Sequence, residues 1–181
     1  MTIGSRVWKN RIRDFLKKFV TSQIIGPNNV QIGLSVFSDV SKTETKFFLN
    51  TYDSKDPMFA TVGNLPYPTG QTCISCGLKK ATDECFVPSN GDRSDAKNIA
   101  ILLTDGVSNR LVDENELETQ RLKDASDELY VIGINPNNVN ETELSAIADD
   151  PDSHYLEILQ NFAGLTPFIN KLNERMNCPV T

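Results

Sequence analysis

Two oxygen-bearing side chains stand where regular structure should break. Asp105 ends the run Asn98-Ile99-Ala100-Ile101-Leu102-Leu103-Thr104-Asp105-Gly106, and Thr72 follows Gly70-Gln71 at the start of an expected helix. A carboxylate at the carboxyl end of a buried strand lies where open α/β sheets place their ligands. A hydroxyl facing it across the top of the sheet adds a second hard oxygen donor. Such a pair suits Mg2+, with Mn2+ or Ca2+ as alternatives, because magnesium keeps several waters and needs few protein ligands. Each residue also has a plainer role. Thr-Asp-Gly turns a chain, and threonine is a good helix N-cap.

Other chemistry is sparse. Four cysteines occur, Cys73, Cys76, Cys85 and Cys178, of which the first two form a C-x-x-C pair. One such pair and a single histidine fall short of a closed zinc site. Disulfides of a secreted domain or buried thiols suit them better. Cys73 and Cys76 are spaced to bond across one helical turn, with Cys85 or Cys178 as alternative partners, and spacing does not choose among these pairings. A redox role for C-x-x-C is the enzyme alternative. His154 has no candidate nucleophile beside it and is expected to pack. Neither a G-x-S-x-G nor a G-x-x-x-x-G-K motif occurs, so no catalytic constellation is expected. Asn140-Glu141-Thr142 is a glycosylation sequon.

The elements that must hold Thr72 and Asp105 alternate in type. Ser5–Ser22 has helical spacing, with Ile12, Phe15, Leu16 and Phe19 on one face. Val30–Phe37 is expected as a strand, paired antiparallel with an edge strand at Thr43–Leu49. Helices are predicted over Ser54–Val62, Thr72–Cys85, Glu114–Ser126, Glu141–Ala148 and Asn161–Asn177. Strands are predicted over Lys97–Thr104, Glu128–Ile134 and His154–Ile158. Glu114, Glu116 and Glu118 are expected on a solvated helix face. This alternation predicts an α/β fold: a Rossmann-like, doubly wound, mostly parallel sheet with helices on both faces and one antiparallel edge strand.

The chain has 181 residues, enough for one domain with a full-sized core, and no internal linker or repeat divides it. Its formal net charge of -6 argues against nucleic acid as a partner, since that affinity is built on clustered Lys and Arg. No apolar stretch approaches the length of a membrane span. The residues after Met1 show no hydrophobic leader, which taken alone suggests the cytosol unless Met1 is a fragment start.

Several segments together resemble a von Willebrand factor type A domain, of the kind found in collagen VI, matrilins and integrin inserts. Ile3-Gly4-Ser5, with the helix carrying Asp14-Phe15-Leu16, is similar to the family's first helix. Val30-Gln31-Ile32-Gly33-Leu34-Ser35-Val36-Phe37-Ser38-Asp39 resembles its second strand, and Gly70-Gln71-Thr72 its Gly-Gly-Thr loop. Ile101–Gly106 resembles the fourth strand with its metal aspartate, and Ala148–Tyr155 the turn before the last strand. The resemblance covers nearly the whole chain as a single domain, 1–181.

The resemblance implies a metal-ion-dependent adhesion site built from D-x-S-x-S, a threonine and an aspartate. The threonine carries over to Thr72 and the aspartate to Asp105. The last serine position of the first motif falls on Thr2, and its aspartate and first serine would precede Met1. The central first strand is then expected to be missing. Val30–Phe37 and Lys97–Thr104 would lose their shared neighbour, leaving two rows of backbone groups in need of a partner. Weak or no magnesium binding is expected. The resemblance also implies that Cys178 lacks its partner cysteine and stands as a reactive thiol. The expected function is an extracellular adhesion or matrix module, part of a longer secreted or cell-surface protein, with a protein ligand such as collagen. A structural matrix-assembly module without metal dependence, and an intracellular family member, are the alternatives within the family.

Overall fold

The structure is a computed structural model and describes residues 8–176. Thr2, Cys178, the first residues of the expected Ser5–Ser22 helix and the last residue of the closing helix lie outside that range. A π-helical turn at Trp8–Ile12 leads into helix α1, Arg13–Ser22. Strand β1, Leu34–Val36, pairs antiparallel with β2, Glu44–Phe47, and helix α2 covers Lys55–Gly63. Helix α3, Ile74–Lys80, precedes strand β3, Ile99–Thr104. Helix α4 is Asn115–Ala125, strand β4 Glu128–Ile134 and helix α5 Glu141–Ile147. A helical turn α6, Asp152–Tyr155, strand β5, Leu156–Leu159, and helix α7, Leu165–Met176, complete the described chain.

Strands β3, β4 and β5 form a parallel sheet in that order, with Leu103 opposite Ile132 and Gly133 opposite Ile158. Side chains alternate across it. Tyr130, Ile132 and Ile134 face a core shared with Phe15 of α1, Met58 of α2 and Leu172 of α7. Leu129 and Val131 face the other way, against Leu78 of α3, Leu122 of α4 and Leu144 of α5. The fold is therefore α/β with helices on both faces and an antiparallel pair at one side. The apolar run of β4 is what a strand covered on both faces requires.

The sheet is split. Strands β1 and β2 form one hydrogen-bonded piece, β3, β4 and β5 another, and among the described residues no strand lies between β1 and β3. A cavity of about 650 Å³ fills the gap, lined by Leu34 and Val36 on one side and Ile101 and Leu103 on the other. Its effect is visible in burial. Leu129, Tyr130, Val131, Ile132 and Ile134 of β4 are all at most 1% exposed, while Ile99, Ile101 and Leu103 of β3 are only half-buried.

Three local expectations need correction. The Val30–Phe37 strand is ladder-paired only over Leu34–Val36, because β2 supplies hydrogen bonds for a short stretch and a bulge interrupts the register between Leu34 and Ser35. His154 and Tyr155 belong to α6, not to the last strand. The amides of both donate to the Pro151 carbonyl, which winds the chain into a turn, and both rings pack against Tyr130. Glu118 is not on a solvated face: it is 4% exposed and paired with Arg121 at 2.7 Å.

Candidate functional site

The carboxyl ends of β1 and β3 meet the loop that leads into α3. The Cys73 amide donates to the Ser38 carbonyl just past β1 (2.9 Å), and the Ser38 hydroxyl donates to the Thr69 carbonyl (3.3 Å). Gly70 adopts a φ of +136°, and a Cβ there would lie 3.1 Å from the Asp39 Cβ. Only glycine allows this left-handed conformation without strain while the loop is pressed against the end of β1. On the β3 side, Asp105 and Gly106 follow the last strand residue directly, and a Cβ on Gly106 would come 3.4 Å from the Thr72 Oγ1. The structure thus brings the Thr72 hydroxyl close to Gly106, the residue after Asp105.

Thr72 is not the helix cap. The cap position of α3 is Cys73, which makes no side-chain cap bond. The free Ser75 amide at the helix start donates instead to the Asn115 Oδ1 at 3.1 Å. Asn115, from α4, supplies the acceptor that the side chain at the cap position does not. Thr72 is held by its backbone: its amide donates to the Asn109 Oδ1 and its carbonyl accepts the Asn109 amide, both at 2.9 Å.

Sequence inspection missed the residues that fix this arrangement. The Glu143 carboxylate, on α5, accepts the Asn115 side-chain amide (3.0 Å) and the Ser108 backbone amide (3.3 Å). One chain of hydrogen bonds therefore ties the start of α3, the loop after β3, the start of α4 and the first turn of α5. Asn140, the sequon residue, caps α5 by accepting the Thr142 and Glu143 amides, and its side chain is exposed. Tyr67 adds a further neighbour: burial, and then the negative charge of Asp105, push its phenol up from its ordinary value.

Burial also pushes the Glu143 carboxyl up, against the two hydrogen bonds that favour its charged form. The folded protein then holds this proton to a higher pH than the unfolded chain, whose glutamates titrate near about 4.3. The contribution of Glu143 to stability is fully present below that value and is lost as pH rises through the raised folded-state value. Glu143→Gln should flatten this part of the stability curve, as measured by urea unfolding across the acidic range. Parallel curves for the two proteins would contradict the assignment.

The donor set tests the expected cation. Thr72 and Asp105 offer oxygen only, the right kind for a hard divalent ion, but just two protein donors. Among the described residues no group of three or more His, Cys, Asp or Glu side chains could hold a metal. Thr2, the third expected donor, lies outside the described residues. Cys73 and Cys76 form a disulfide across the first turn of α3, with Cα atoms 5.3 Å apart. Cys85 is free and buried, and burial pushes its thiol up, away from the reactive range.

Comparisons with known proteins agree with this architecture. A family model described as von Willebrand factor type A domain matches residues 1–172. The collagen alpha-1(XII) chain of Notophthalmus viridescens is 38% identical over 165 residues, covering 91% of this chain and 17% of the relative. The chain thus spans well under a fifth of that protein's length. Proximal thread matrix protein 1 from the mussel byssus superimposes with a TM-score of 0.84 at 28% identity, over 94% of this chain and 42% of that one. A second structure of that mussel protein, with a zinc-occupied MIDAS motif, superimposes with a TM-score of 0.80 at 24% identity, over 97% of this chain and 42% of that one. With helices on both faces of a parallel sheet and a family model matching residues 1–172, the chain belongs to the von Willebrand factor type A domain family.

Proposed function

We propose that this chain is an extracellular, protein-binding matrix module in which Thr72 and Asp105 are the oxygen donors for a weakly held divalent cation. The observation that carries this reading is the Thr72 hydroxyl: it lies one residue before the cap position of α3 and is set against the turn at Gly106. The similar mussel matrix protein with zinc in its MIDAS motif and the collagen relative support the same class of function. A cation here would leave coordination positions to water or to a carboxylate of a protein ligand such as collagen.

The same reading makes the chain a binding module and not an enzyme. Cys73 is disulfide-bonded to Cys76 and fully buried, which suits a structural cross-link at the start of α3. His154 is engaged with the Tyr130 hydroxyl at 3.3 Å. Among the described residues no helix is long and apolar enough to cross a membrane.

Isothermal titration with Mg2+ and binding to an immobilised collagen film test the proposal. Magnesium affinity should be weaker than micromolar, because two donors leave most of the coordination shell to water. Film binding should fall on adding EDTA, and Asp105→Ala should reproduce that loss, with Thr72→Ala weaker in effect because it removes no charge. Micromolar affinity would refute the weak site. Film binding indifferent to EDTA would favour a structural assembly module, and absence of film binding would refute collagen as ligand.

A further inference from the structure

The sequon Asn140-Glu141-Thr142 is a motif that the proposed binding site does not use. It is the only Asn-x-Ser or Asn-x-Thr triplet among the 181 residues, and its middle residue is not proline. Asn140, Glu141 and Thr142 are all exposed, where the turn after β4 enters α5. That turn is firmly set. The Asn138 amide donates to the Asn135 carbonyl (2.8 Å), and the Asn137 amide donates to the Asn135 Oδ1 (3.2 Å). Val139 and Leu144, on either side of the triplet, pack into the core formed with α3 and α4. The triplet thus stands on the surface between two anchored side chains.

The plainer role of Asn140 is to cap α5, and it does so with one atom. Its Oδ1 accepts the Thr142 amide at 3.1 Å and the Glu143 amide at 3.3 Å. Nδ2, on the other arm of the planar amide, makes no hydrogen bond among the described residues, and neither does the Thr142 hydroxyl. Capping needs only the oxygen, which aspartate or serine would supply as well. Helix α5 gains nothing from threonine at its second position, because β-branched residues are weak helix formers. The two polar groups that the fold leaves over are the two that N-glycosylation requires, an acceptor amide nitrogen and a hydroxyl two residues on.

We propose that Asn140 carries an N-linked oligosaccharide, with the α5 cap intact beneath it. A bond forms between Nδ2 and the anomeric carbon of an oligosaccharide held on a polyprenyl diphosphate, and the bond from that carbon to the diphosphate oxygen breaks. Nδ2 gives up one proton, the diphosphate leaves on its lipid, and nothing is oxidised or reduced. Oδ1 keeps the lone pairs that receive the two amides. Strand β4 runs parallel to β3, so the turn after it stands at the same edge of the sheet as Asp105. The glycan therefore lies at that edge, on its α5 side.

The inference rests on the extracellular reading, because the oligosaccharide donor is met on the secretory route. The test supplies that route: the full chain is secreted from cultured animal cells behind a heterologous secretory leader. More than half of the secreted molecules should carry a glycan that peptide N-glycosidase removes, leaving aspartate at position 140 in the peptide mass spectrum. Thr142→Ala should abolish the modification and Thr142→Ser should keep it. Both leave the cap acceptor in place and should fold. Asn140→Gln should lose glycan and cap together and unfold at a lower urea concentration than Thr142→Ala. The glycosylated parent should unfold at no lower concentration than Thr142→Ala. Occupancy below half, or a glycan that survives Thr142→Ala, would overturn the proposal. So would a glycosylated parent weaker than Thr142→Ala, or Asn140→Gln as stable as Thr142→Ala, since either would separate the glycan from an intact cap. The extracellular reading fails by a different result, the native protein found only inside cells.

Discussion

Asn115→Ala should lower the stability of this chain by about 2–3 kcal/mol and loosen the Thr72 loop. Asn115 is buried, and its side-chain amide is used at both ends: the oxygen accepts the Ser75 amide and the nitrogen donates to Glu143. Truncation strands the Ser75 amide in a buried position at the start of α3, where no other side chain caps it. It also removes one of two hydrogen bonds that hold a carboxylate already pushed toward its neutral form by burial. A buried group left unsatisfied costs its full desolvation penalty, which is why the loss should exceed that of an ordinary surface hydrogen bond. Asn115→Asp sharpens the test. It keeps an acceptor for Ser75 but sets a second carboxylate against Glu143, so like charges repel above the acidic range. Both variants should recover stability relative to the parent as pH falls and Glu143 takes up a proton, and the Asp variant should recover more, because protonation also ends the repulsion between its two carboxylates. Urea unfolding of both at neutral and acidic pH measures this. A loss below about 0.5 kcal/mol for Asn115→Ala would place it among ordinary surface substitutions and refute the network.

What could be read from the chain and what could not follow from the range of the interactions. The alternation of apolar periods marked β4 at Glu128–Ile134 with its observed limits, and the carboxylate at the end of β3 marked one half of the candidate site. Both signals are local. The network around Thr72 is not: Ser75 and Asn115 are 40 residues apart, and Asn115 and Glu143 are 28 apart. An asparagine at the start of a charged helix and a glutamate in the first turn of another carry no mark of a shared partner. The same holds for Thr72 itself. Sequence allows it to cap α3, but the helix starts one residue later, with Cys73 at the cap position and Asn115 from another helix accepting the Ser75 amide. His154 misled for a related reason. The alternation His154-Tyr155-Leu156-Glu157-Ile158 suits a strand, but the Pro151 carbonyl gathers the His154 and Tyr155 amides into a helical turn first.

Ile132→Ala should cost about 3–5 kcal/mol, and Leu103→Ala, at the position directly opposite it in the sheet, only about 1–2 kcal/mol. By composition the two strands are alike, each an aliphatic run of the kind found in the middle of a parallel sheet. The difference lies in what flanks them. Ile132 stands on β4, between β3 and β5, and is 1% exposed within the core formed with α1, α2 and α7. Its truncation removes buried methyl and methylene groups and leaves a cavity that neighbours on every side prevent from closing. Leu103 faces the same core but borders the open slot, where it is only half-buried. It has less transfer energy to lose, and the space it vacates joins one already there. Equal losses for the two variants in urea unfolding would show that the slot closes in solution and that β3 is as well packed as β4. Burial of Leu103, and not its identity, sets its contribution.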